Sequence, residues 1–220
     1  MKKIIITIIA LSFSTNYFAQ KETPIPTTKK TMNDVYNASE LTFYGYDFTN
    51  FRLVEPDRIN EGAAIRDIQF SAWNAYVINE ITMNKLAKWF KKSAINYSPV
   101  ALTILNSKVE DGNVVARLPF VVEQDAIKRS IATYEKPKNA ENKIGMVINV
   151  ESFLESKKQA TAYVTFFEIS TGAVISMQEV RVSKPFGMDG VMLHGISKFW
   201  GQSCLDILRT YFDDTYKRGY

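Results

Sequence analysis

Four acidic side chains fall close together early in the chain: Asp47, Glu55, Asp57 and Glu61. Two carboxyl groups on opposite sides of a cleft are what glycoside hydrolysis needs, one acting as acid and the other as base or nucleophile. The same spacing suits a solvated loop, with Asp57 beside Pro56 in a turn. His194, the single histidine, would have to serve any imidazole-based triad, and a metal site would have to join it to carboxylates. The chain holds no HExxH, GxSxG, paired-cysteine or Walker-type motif. Gly187, Gly190 and Gly195 stand before a helical pattern, where backbone amides can cradle an anion, but they lack dinucleotide or phosphate-loop spacing. Catalysis, a metal and a cofactor are therefore not expected. Cys204 has no second cysteine to pair with and falls on an apolar helical stripe, as a small buried hydrophobe does.

Aromatic residues are plentiful, with 11 Tyr and 14 Phe. Tyr44, Tyr46 and Phe48 alternate along one face of a predicted strand, Leu41 to Phe48, with Phe43 opposite and Gly45 a candidate bulge. Such a row either fills a core or grips a partner or a sugar. A partner or ligand surface, if the chain has one, is expected among Tyr44, Tyr46, Phe70, Trp73, Phe186, Asp189 and His194.

The elements that must position these residues are read from periodicity. A helix is predicted from about Glu61, with Ile65, Ile68, Ala72, Ala75 and Tyr76 on one face and Phe70, Trp73 and Val77 on the next. Apolar around most of its girth, it calls for deep packing or a second partner. The pattern continues through Met83 to Phe90, edged by Lys85, Lys88, Lys91 and Lys92, cations that a helix C-terminus favours. Val100 to Leu105 and Leu118 to Val122 read as strands, and Glu123 to Tyr134 as a helix followed by a polar loop to Lys143. The clearest stretch is Lys143 to Lys184: three strands, 144–150, 161–169 and 173–182, the last two joined by a turn at Ser170-Thr-Gly172. A final amphipathic helix aligns Leu193, Ile196, Trp200, Cys204, Ile207, Leu208 and Tyr211, opposite Lys198, Asp206, Arg209, Asp213 and Lys217. The expected fold is an α+β or α/β sandwich. Its mixed sheet has a C-terminal antiparallel three-strand block and is covered by amphipathic helices.

The first residues carry an address. Met1-Lys-Lys3, an apolar run from Ile4 to Phe13 and a small residue at Ala19 follow the order of a secretory signal peptide, although Tyr17 is not the small residue expected before the cut. The run is too short to span a bilayer, which takes about 20 residues. The expected organisation is a leader over 1–19, a proline- and threonine-rich flexible arm over 20–40, and a single α/β domain over 41–220. Removing Lys2 and Lys3 lowers the basic excess from four to two, which gives no strong electrostatic case for nucleic acid, and none is expected as a partner.

The order of elements, with Ile169-Ser-Thr-Gly-Ala-Val-Ile175 at the hairpin, resembles the α/β sandwich of bacterial envelope proteins. These include the curli secretion component, the periplasmic activators of penicillin-binding proteins and the amino-terminal domain of TolB. The likeness runs from about Leu41 to Phe212, although no lipid-attachment cysteine ends the leader. It implies an assembly or regulatory role without catalysis and carries over no functional residue. The expectation is a periplasmic or secreted, non-enzymatic protein whose partner is an envelope protein or a second copy. The alternative is a small-ligand or glycan-binding module, or less readily a hydrolase.

Overall fold

A computed structural model describes residues 24–56, 62–183 and 196–219, with 196–199 described by backbone alone. The expected leader, Asp57, Glu61, Phe186, Asp189, His194 and the glycine loop before the last helix lie outside the described residues.

The fold is α/β, and its spine is the strand β5 (Ile144–Leu154), buried along almost its whole length. On one side β5 pairs antiparallel with β6 (Gln159–Glu168), which pairs in the same sense with β7 (Ala173–Ser183). On its other side two short strands lie end to end, both parallel to it: β1 (Glu40–Asp47) against Gly145–Asn149 and β2 (Arg52–Val54) against Ser152–Leu154. They behave as one strand broken at Phe48–Phe51. The outermost layer is broken at the same place, with β3 (Ala94–Tyr97) parallel to β1 and β4 (Val115–Ala116) parallel to β2.

Helices cover both faces. On one face, α3 (Phe70–Glu80), α4 (Met83–Trp89) and α7 (Ile196–Tyr211) enclose a core that includes Phe43, Tyr46, Phe48, Phe153 and Cys204. On the other, α5 (Val100–Asn106) and α6 (Gln124–Ala132) pack over Tyr44, Val147, Tyr163 and Phe167. The Cys204 thiol is fully buried and its pKa is pushed up by desolvation, so the side chain is packing and not a nucleophile.

Several expectations are corrected. The segment Val100–Leu105 is helix, not strand: Ala101 and Leu102 turn inward while Val100 and Ile104 are exposed, a helical division of faces. Residues 118–122 form no ladder, and Leu118 and Val121 are both exposed. The expected arm is ordered in its second half. There α1 (Met32–Asn37) buries Val35, and the Lys92 ammonium donates to the carbonyls of Val35 and Tyr36, both at 2.7 Å. Lys92 therefore leaves the expected basic edge and closes a helix end.

The helix face is corrected as well. A π-helical turn (Ile65–Gln69) between α2 (Gly62–Ala64) and α3 adds a residue to the repeat, so Ile65, Phe70, Trp73 and Val77 face the core. Ile68 is 60% exposed and Ala75 also faces out.

A bulge on β5 between Val150 and Ser152 has a consequence for pH dependence. Glu151 is only 4% exposed, accepts a hydrogen bond from the Val122 amide at 3.0 Å, and has its pKa raised chiefly by burial. An acid raised on folding stabilises the fold below its ordinary range, about 4.3, and that contribution is lost as pH climbs through the raised value. Glu151→Gln, which keeps an acceptor for Val122, is expected to flatten the fall in stability as pH rises from about 4.3 through the raised value. Urea denaturation across that range measures it, and parallel curves for the two proteins count against the assignment.

Candidate functional site

The break in the outer strand layer makes a cleft. β3 leaves β1 after Phe43 and β4 rejoins only at Leu53, so the β1 edge from Tyr44 to Phe48 has no neighbouring strand there. Side-chain amides replace it. The Asn74 carbonyl accepts from the Tyr46 amide at 2.9 Å, while Asn106 donates to the Tyr46 carbonyl at 3.0 Å and accepts from the Phe48 amide at 2.8 Å. Buried backbone groups need such partners, and the two asparagines hold α3 and α5 apart on either side of the opening.

The space between them is about 540 Å³, open to solvent and walled mainly by apolar atoms. Phe70, Ala75 and Ile78 line it from α3 and Leu102 from α5, with Tyr44 and Tyr97 at the sheet. Gly45 is required at the floor. Its φ is +99°, and a Cβ there would lie 2.8 Å from the Asn74 carbonyl oxygen.

Charge at the cleft is internally balanced. Arg66 donates from Nε to Asp67 at 2.6 Å and from Nη1 to the Val109 carbonyl and the Asp111 carboxylate. The hydrogen bond from Arg66 holds the Asp67 carboxyl below its usual range. Burial raises the Tyr44 and Tyr97 phenols, which therefore stay neutral. Neither hydroxyl hydrogen-bonds among the described residues, and both rings line the cleft. Among the described residues the cleft thus offers an apolar body with two neutral phenols, and its charged side chains Arg66 and Asp67 pair with each other.

The residues expected to form a partner surface are mostly interior. Gly45 shifts the β1 register between Phe43 and Tyr46, so Tyr44 and Tyr46 lie on opposite faces of the sheet, correcting the single aromatic face. Tyr46 is fully buried and donates to the Cys204 carbonyl at 2.8 Å. Trp73 is core, and Tyr44 and Phe70, though almost wholly buried, line the cleft. Phe186, Asp189 and His194 lie outside the described residues. Of the candidate carboxylates, Asp47 and Glu55 do not converge, because Asp47 is buried under α6 and Glu55 accepts a hydrogen bond from Ser156 at 2.5 Å elsewhere, and Asp57 and Glu61 lie outside the described residues. Sequence reading passed over Asn74, Asn106 and Arg66. The asparagines carried one usable signal, polar side chains within otherwise apolar helical runs.

Among the described residues no helix is long and apolar enough to cross a membrane, and no three His, Cys, Asp or Glu side chains gather as a metal would need. No protein family, curated protein or solved structure matches the chain.

Proposed function

We propose that the chain is a secreted or periplasmic, non-enzymatic docking component of the bacterial cell envelope. Its α3–α5 cleft receives an apolar side chain or short amphipathic segment of another envelope protein. The observation that carries this reading is the cleft's surround. Ile68, Val100 and Ile104 are exposed beside the lining residues Asp67, Pro99 and Thr103, while the nearby charges are spent on one another. Exposed apolar groups around a concave apolar floor are the usual ground for partner recognition. The leader-like start and the likeness in element order to curli-secretion, penicillin-binding-protein-activator and TolB domains belong to the same proposal.

In crosslinking from native envelopes, the wild-type chain is expected to capture a defined envelope protein. Ile68→Glu with Ile104→Glu should lower that capture by about tenfold or more, since buried hot-spot contacts each carry over 1 kcal/mol. Both positions are exposed, so the far-UV spectrum should not change. Equal capture by wild type and variant, or no capture at all, removes the proposal. A second reading rests on the cleft's size: about 540 Å³ also suits a small apolar ligand. Native mass spectrometry of the protein from its own envelope distinguishes them, because a bound small molecule adds its mass without any crosslinked partner.

A further inference from the structure

The two ends of the sheet are managed differently. At one end the outer strands are short, β3 with four residues and β4 with two. At the other, β7 runs for 11 residues and pairs only with β6 among the described residues. A long open edge is a template for another strand unless something blunts it.

The direction of its backbone groups follows from the ladder. The Ile169 amide donates to the Lys143 carbonyl, so that residue turns toward β5 and its neighbour Glu168 turns toward β7. Alternation then points Phe166, Val164 and Ala162 at their partners Ser176, Gln178 and Val180. The amides and carbonyls of Met177, Glu179, Arg181 and Ser183 are left facing outward.

We propose that β7 is a homodimer interface, in which a second copy adds its β7 antiparallel about a two-fold axis through Val180. This does not depend on what the cleft binds. In that register the outward groups meet each other. Glu179 lies opposite Arg181 of the second copy, Arg181 opposite its Glu179, and Met177 opposite its Ser183. Moving the axis to Glu179 or to Arg181 would set like charges against each other, and moving it to Gln178 would leave both charges facing apolar residues. Charge therefore selects one register out of those that the backbone allows. Within one chain Arg181 already reaches Glu179 at 2.8 Å on a solvent-exposed face, so both side chains are placed for a four-charge cluster across the axis. An isologous pairing of this kind closes on itself and consumes both open edges, whereas an open edge left to strangers invites aggregation.

The test is mass in solution. By sedimentation equilibrium the chain without its leader is expected to be a dimer at micromolar concentration. Glu179→Arg, which puts four cations at the axis, should weaken dimerisation by about tenfold or more. Arg181→Glu should do the same, and the double exchange E179R/R181E should restore the dimer. Circular dichroism checks that each variant is folded. A wild type that is monomeric at the highest soluble concentration overturns the proposal. So does a dimer indifferent to the single changes, or a double exchange that stays monomeric.

Discussion

Replacing Asp47 with alanine is expected to lower the stability of the fold by about 4 kcal/mol, because a buried carboxylate bonded to several donors cannot be removed without stranding them. Asp47 ends β1 and is 2% exposed. One oxygen accepts from the Thr49 amide at 2.8 Å and its hydroxyl at 2.7 Å; the other accepts from Tyr134 at 2.5 Å, Asn149 at 3.0 Å and Ser130 at 3.2 Å. Asn149 in turn accepts from Thr165 at 2.8 Å, so the network ties β1, the turn after it, α6, β5 and β6 together. Burial and the nearby Asp47 charge hold the Tyr134 phenol far above its ordinary range, so it remains a donor at every physiological pH. Tyr134→Phe removes one of the donors and should cost less, about 1.5–3 kcal/mol for a hydrogen bond to a charged group. Asp47→Asn keeps the shape but presents an amide to donors, and should fall between the two. Urea denaturation ranks them. A loss below about 1 kcal/mol for the alanine variant means that water reaches the site and satisfies the donors.

Legibility in the sequence followed from how local each cause was. Strands expected over 144–150, 161–169 and 173–182 are found over 144–154, 159–168 and 173–183, since period-two patterning and a glycine turn act within a few residues. Gly172 takes a φ of +76° and lies where a Cβ would meet Ala132, so the turn also packs on α6. The apolar stripe from Trp200 through Cys204, Ile207 and Leu208 to Tyr211 is likewise buried. Errors came where one residue re-phased an element. Gly45 in β1 and the extra residue of the π turn each shift the residues that follow, sending Tyr44 away from Tyr46 and Ile68 away from the core. A short, largely apolar run such as 100–105, broken only by Thr103, fits a strand or a buried helix equally well by periodicity. The cleft was invisible for a different reason. It is defined by where β3 stops and β4 starts, and strands of four and two residues carry almost no pattern of their own.

The second large effect concerns the break between β1 and β2, which a knot of aromatic rings holds in shape. Phe48 stacks on Phe70 at 4.5 Å, Phe51 meets Phe153 edge-on at 5.0 Å, and the Trp73 indole packs on Phe48, Phe51, Phe70 and Phe153. Phe153 then stacks on Trp200 at 4.4 Å, carrying the contact to α7. Trp73→Ala opens a cavity where the strand break, α3 and β5 converge, and is expected to cost about 4 kcal/mol, within the range of roughly 3–5 for losing a buried ring. The comparison with phenylalanine isolates the packing. Trp73 Nε1 is buried without a hydrogen-bond partner, so it already carries a burial penalty of about 1–3 kcal/mol that Trp73→Phe relieves. That gain offsets much of the lost volume, and the phenylalanine variant is expected to cost less than about 1.5 kcal/mol. Chemical denaturation of both variants gives the difference. Near-equal losses would mean that the indole N–H is satisfied, and that its bond rather than the ring anchors the break.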